Sequence, residues 1–126
     1  MQPTLNRKLV LAALDMALKQ RHPPAGLLHH SDRGSQYACT DYQTLLAHHN
    51  LRASMSRRGN CYDNAPMESF FATLKTECLQ GIVYPSQAIA RAELFEYIEL
   101  FYNRQRIHSQ LGFCSPLAYE QLSLVA

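Results

Sequence analysis

Two acidic side chains and one basic one stand at spacings that suit phosphoryl chemistry. Asp32 follows a short apolar run at 27–31 and precedes Arg33 and Gly34. Glu68 lies one turn into a helical pattern, with 35 residues between it and Asp32, and Lys75 comes seven positions later. A carboxylate at a strand end and another on a nearby helix can share a divalent ion, because hard cations such as Mg²⁺ take carboxylate and water oxygens as ligands. Residues seven apart on a helix lie about 20° from alignment, so Glu68 and Lys75 share a face and the lysine is placed to meet a phosphate beside the metal. Each residue also has a plainer reading. Asp32 fits a turn before Arg-Gly, Glu68 a solvated helix carboxylate, and Lys75 an exposed lysine. Asp63 and Asn64 suit a helix start, which is the preferred reading, with contact to DNA or the metal shell the lesser alternative for Asn64. Arg57 and Arg58 suit a solvated loop. Ser31, Arg33 and Gln36 are expected to fix the turn around Asp32.

Three strings carry a family resemblance. HSDRGSQY at 30–37, SMSRRGNCYDNAPMESFFATLKTE at 54–77 and YNRQRIHSQLGFCSP at 102–116 occur in this order and span nearly the whole chain. They resemble the catalytic domain of OrfB-type bacterial insertion-sequence transposases, which has an α/β, RNase H-like (retroviral integrase superfamily) core. That family carries an Asp, Asp, Glu triad with 35 residues between the last two and a basic residue seven after the Glu; Asp32, Glu68 and Lys75 match those places. The resemblance implies Asp32 and Glu68 as metal ligands, Mg²⁺ or Mn²⁺ as the cofactor, and Lys75, Arg57, Arg58 and Asn64 as nucleic-acid contacts. The family's first Asp stands on a strand well upstream, and none of the 31 residues before Asp32 fits it. The implied fold is therefore an N-terminally truncated core lacking the first three strands, with 1–126 as one partial catalytic domain. The implied function is DNA transposition and integration by descent, with no activity expected of the chain alone. A non-enzymatic DNA- or transposase-binding remnant is the main alternative, and a nuclease using only Asp32 and Glu68 a second. The expected partners are DNA and another copy of the chain or a full-length transposase.

Composition sets outer limits. A chain of 126 residues, 47% hydrophobic and 17% charged, is sized for one domain and can bury a core. No apolar run approaches membrane-spanning length and residues 1–21 lack the layout of a signal peptide, which favours the cytoplasm and no membrane partner. Cys39, Cys61, Cys78 and Cys114 are widely spaced with no C-x-x-C pair, so free thiols are expected rather than a zinc site. The net charge of +2 does not by itself point to nucleic acid. The basic residues are local: Arg52, Arg57 and Arg58 flank one loop, and Arg104 and Arg106 another.

The elements that must position these residues follow from periodicity. Residues 5–21 read as a helix capped by Thr4, with Leu5, Leu9, Ala12, Ala13, Met16 and Leu18 at helical spacing. His22, Pro23, Pro24 and Gly26 break it. Residues 27–31 read as a buried strand, 41–50 as a helix ending at Asn50, and 51–55 as an alternating strand. After a polar loop at 56–62, Asp63 is expected to cap a helix with Pro66 in its first turn and a buried stripe of Met67, Phe70, Phe71, Leu74 and Cys78. Ser86 should cap a long helix whose inward face is Ala88, Ile89, Ala92, Phe95, Ile98 and Tyr102. Ser115 and Pro116 start a last short helix. The pairs His29–His30 and His48–His49 are neighbours whose side chains should diverge, so neither is read as a chelate. Tyr102, Asn103, Arg106 and His108 are expected to hold the C-terminal loop against the core.

Overall fold

Asn6 starts the first helix of the computed structural model, in which residues 6–58 and 61–125 are described. Its side chain accepts a hydrogen bond from the Leu9 N–H at 3.0 Å, and α1 runs over Arg7–Arg21. The expected cap Thr4, and Leu5, lie outside the described residues; Asn6 meets the same need for an acceptor at the first free N–H groups. The helix ends where His22 turns into the left-handed region at φ 44° ahead of two prolines.

β1 is Leu28–Ser31 and β2 is Arg52–Met55, paired in parallel with Leu28 opposite Arg52 and Ser31 opposite Met55. Parallel strands need a crossover, supplied by the short helix α2 at Ser35–Ala38 and by α3 at Thr40–His48. Asn50 adopts φ 56°, the left-handed conformation that ends helices at Asn or Gly, and its carbonyl accepts from the Gly26 N–H at 2.7 Å. That bond, and the bond from Arg52 N–H to Leu27 carbonyl at 2.9 Å, bring the starts of the two strands together.

The core of this first unit is Val10, Leu14 and Leu18 of α1 against Tyr42 and Leu46 of α3 and Leu51. The buried face of α1 is thus a simple i, i+4 row. Ala12, Ala13 and Met16, expected inside, are exposed, because α3 meets only a narrow stripe. β1 is not fully buried either: Leu28 is 57% exposed, and among the described residues the sheet has two strands.

Residues 61–64 form a tight turn of 3₁₀ helix that leads directly into α4, Ala65–Leu74, and a π-helical continuation at Lys75–Leu79. The chain divides within α4 into compact units Met1–Phe70 and Phe71–Ala126. Of the expected stripe, Leu74 and Cys78 are buried, but Met67 and Phe71 are exposed and Phe70 is half-buried. Periodicity identified an apolar face; it could not say how much of that face meets another element.

In the second unit Ser86 caps α5, Gln87–Phe95, by accepting from the Ile89 N–H at 3.3 Å. The helix continues as a π-helix over Glu96–Tyr102. Ala90 is its buried residue, while Ala88, Ile89, Ala92 and Phe95 are exposed, contrary to the expected inward face. The wider π turn also rotates later side chains away from α-helical register. Ser115 accepts from the Ala118 N–H at 3.3 Å and starts α6, Pro116–Val125.

Two outcomes test this architecture. Leu46, 2% exposed, anchors the first core, and Leu46→Ala is expected to lower unfolding free energy by about 2–5 kcal/mol in a urea titration. The open edges of a two-stranded sheet with exposed Leu27 and Leu28 are expected to drive concentration-dependent association in sedimentation runs; a monomer whose melting is independent of concentration would contradict it.

Candidate nucleic-acid and metal site

The C-terminal ends of the parallel strands lie side by side, so the residues after each strand emerge at one edge. Asp32 follows β1 and Ser56 follows β2, and the Ser56 N–H extends the ladder to the Ser31 carbonyl at 2.9 Å. Asp32 is exposed, and its Oδ1 accepts from the Gly34 N–H at 2.7 Å, which closes the turn. A Cβ at Gly34 would stand 2.9 Å from both Asp32 Oδ1 and Gln36 Nε2, so these side chains would have to shift to admit one. Ser31 Oγ donates to the Asp32 carbonyl at 3.0 Å and Arg33 Nε to the Ser56 carbonyl at 2.8 Å. The expected turn therefore forms, with Arg33 reaching across to the other strand.

Ser56 is the residue that sequence reasoning missed. The polar run at 56–62 predicts an exposed loop there, yet Ser56 is 4% exposed. Its Oγ lies 3.1 Å from His30 Nε2, 3.3 Å from the Ser31 carbonyl and 2.5 Å from Asn64 Oδ1. His30 Nδ1 in turn meets Ser54 Oγ at 3.0 Å. Ser54 and Ser56 do continue the alternation of β2, but only the register opposite His30 gives that pattern meaning.

Asp63 is not the helix cap. Its Oδ2 accepts from the Arg57 backbone N–H at 2.9 Å, and its Oδ1 lies 3.4 Å from Arg57 Nη2. Those bonds from Arg57 hold the Asp63 carboxyl below its usual pKa. Asp63 lies inside the 3₁₀ turn at 61–64, and its carboxylate reaches back to Arg57 rather than forward into α4. Gly59 and Asn60 of the 57–63 loop lie outside the described residues. Arg57 is half of this pair, and Arg58 beside it is exposed. Glu68 is exposed in the first turn of α4, one turn beyond Asn64. Lys75 is exposed at the first residue of the π-helical continuation. Asp32, Arg57, Arg58, Asn64 and Glu68 therefore share the first unit, whereas Lys75 falls in the second. Among the described residues no group of three or more His, Cys, Asp or Glu side chains is placed to hold a metal.

Of the histidines, His29 and His108 are half-buried, and His22, His30, His48 and His49 are exposed. His29 points away from His30 and meets Tyr42 Oη at 3.1 Å; burial lowers its pKa and raises that of Tyr42 to about 12. His48 and His49 do not diverge as expected: their rings meet edge to face with centroids 5.3 Å apart.

In the second unit Glu77 collects three donors. Arg106 Nη2 and Nε reach its two oxygens at 2.8 and 2.9 Å, and Tyr97 Oη donates at 2.7 Å. These bonds, Arg106 first, depress the Glu77 pKa, while burial and then Glu77 raise that of Tyr97. Tyr102 stacks edge-on against His108 at 4.8 Å, and the Asn103 carbonyl accepts from Leu117 at 2.9 Å. The YNRQRIH string thus fastens the C-terminal loop as expected; Glu77, its main acceptor, was not foreseen. An open groove here is lined by Glu93, Glu96 and apolar Ile89 and Phe101, the wrong charge for a phosphate backbone.

Known proteins similar to this chain fall in one family. Two family models described as "Integrase core domain" match residues 3–61 and 68–124. The insertion element IS600 uncharacterized 31 kDa protein of Shigella sonnei is 53% identical over 93% of this chain and 43% of its own length. Transposase InsF for insertion sequence IS3A of Escherichia coli is 49% identical over 98% of this chain and 43% of its own length. The chain thus spans less than half the length of these curated relatives. A chain of a simian T-cell lymphotropic virus intasome superposes with a TM-score of 0.67 at 15% identity, covering 85% of this chain and 37% of that one, which is a likeness of fold.

A pH titration separates the Glu77 cluster from a passive surface pair. Its folded pKa is depressed, so its stabilisation is present above the usual carboxylate range and is lost as pH falls through the depressed value. Glu77→Gln is expected to flatten the acid side of the stability curve. A Glu77/Arg106 double-mutant cycle at neutral pH should give a coupling of about 1 kcal/mol.

Proposed function

The chain belongs to the integrase core domain family, and from that premise we propose that it descends from the catalytic core of an insertion-sequence transposase and binds DNA at the Asp32 edge. The observation that carries this reading is the shared edge of β1 and β2, where Asp32 follows one strand and the segment with Arg57 and Arg58 follows the other, ahead of the 3₁₀ turn at 61–64 and of α4, which carries Glu68. Exposed arginines beside exposed carboxylates suit a phosphodiester with a bridging cation.

Asp32 and Glu68 are exposed hard-oxygen donors, and only Asp32 Oδ1 is engaged by the turn, so the two fit Mg²⁺ or Mn²⁺ by type and would hold it. When bound, such an ion supplies Lewis-acid stabilisation of a phosphodiester oxygen. Two carboxylates are an incomplete set for two-metal chemistry, and no catalytic step is assigned to this chain alone. Its residues bind and orient: at the Asp32 edge Arg58 meets phosphates, Arg57 does so while braced by Asp63, and Asn64 braces the helix start, while Lys75 offers a phosphate contact on the second unit. The open sheet edges favour a second reading, in which the chain pairs with another copy or with a full-length transposase without chemistry of its own.

Fluorescence anisotropy with duplex DNA is expected to give weak, sequence-independent binding. It should fall steeply with salt, by a slope of about −0.9 per phosphate contacted. Tight binding at high salt, or strong preference for one sequence, would overturn this. No strand transfer or 3′-end processing is expected from the chain alone with Mg²⁺ or Mn²⁺. Robust cleavage lost in both Asp32→Asn and Glu68→Gln would show that two carboxylates suffice.

A further inference from the structure

The hydrogen atoms around Ser56 can be counted. Its Oγ stands 2.5 Å from Asn64 Oδ1, a separation in the range of O–H···O bonds and shorter than N–H···O bonds run. The hydroxyl therefore donates its one proton to Asn64, and the Ser31 carbonyl at 3.3 Å gets at most a weak share. Having given up its proton, Oγ must accept from His30 Nε2 at 3.1 Å. The His30 proton then sits on Nε2, and Nδ1 accepts from the Ser54 hydroxyl at 3.0 Å. One directed chain results: Ser54 to His30 to Ser56 to Asn64. It starts on β2, crosses to β1, returns to the residue after β2 and ends on the last residue before α4. Ser56 is 4% exposed, so leaving its hydroxyl unpaired is costly.

We propose that His30 and Ser56 are positioning residues that set where α4 begins, and with it the placement of Glu68 relative to Asp32. This rests on the reading of Asp32 and Glu68 as cation ligands. His30 is two residues before Asp32 and Asn64 is four before Glu68, so the chain joins the two segments that carry the carboxylates. Arg33 braces the same point from the other side through the Ser56 carbonyl at 2.8 Å. Neither His30 nor Ser56 needs to touch the ion.

The test uses the full chain, labelled with ¹⁵N, and Mn²⁺ as the probe. Long-range ¹H–¹⁵N correlation is expected to find the His30 proton on Nε2; a proton on Nδ1 alone overturns the proposal. In an Mn²⁺ titration the signals of residues near Asp32 and near Glu68 should broaden together with one apparent Kd. Ser56→Ala and His30→Asn should raise that Kd about fivefold or more and separate the two sets of signals. His30→Gln keeps a donor where Nε2 stood and should behave as the native chain. Tyr42→Phe removes a comparable bond, to His29, and should lower the melting temperature without separating the signals. If Ser56→Ala and His30→Asn titrate as the native chain does, the proposal fails. If the native chain gives no saturable broadening, or Asp32→Asn and Glu68→Gln leave it unchanged, it is the cation reading that fails. The positioning is then decided in metal-free protein: Ser56→Ala must shift the Asn64 side-chain amide and the Glu68 backbone signals, and unchanged signals overturn it.

Discussion

Parallel pairing of two four-residue strands is the constraint from which the first unit follows. Parallel strands cannot be joined by a tight turn, so the chain must leave the sheet and return. The return path is α2 and α3, and α3 brings Tyr42 and Leu46 onto Val10, Leu14 and Leu18 of α1. The same geometry puts both strand ends at one edge, where polar loops can gather without interrupting the ladder. That is the usual place for ligands in parallel sheets, and here it is where Asp32, Ser56 and Arg57 emerge.

Around that edge the polar groups satisfy one another. The Asp32 turn is closed by the Gly34 N–H, the 57–63 loop by Asp63, and the junction between them by Ser56. Such a network fixes positions more than it adds net stability, because each bond replaces one to water. The second unit repeats the device with an ionised acceptor. Glu77 takes Arg106 in a two-pronged contact and Tyr97 besides, a geometry that lysine could not supply.

Apolar faces are the less settled part of the molecule. Met67 and Phe71 of α4, and Ile89 and Phe95 of α5, are 48% to 63% exposed. Each such side chain forgoes roughly 1.5–3 kcal/mol that burial would contribute. Against a typical net stability of about 5–15 kcal/mol, a few such faces are a sizeable share.

The sequence by itself determined the family, the two strands, the helix ends at Asn50, Ser86 and Ser115, and the positions of Asp32, Glu68 and Lys75 within their elements. These are local or string-level properties: a cap needs an acceptor at a fixed offset, and strand and helix periods are written along the chain. Tertiary structure decided which apolar positions are covered, since that depends on how far a neighbouring element extends. It decided that Asp63 holds Arg57 instead of capping α4, that Arg106 meets Glu77, and that the apparently loop-bound Ser56 is a buried junction. Each of these depends on a partner brought near by folding. The His30–Ser54 pairing, for one, exists only in a register that spans 24 positions of chain, which no local pattern encodes.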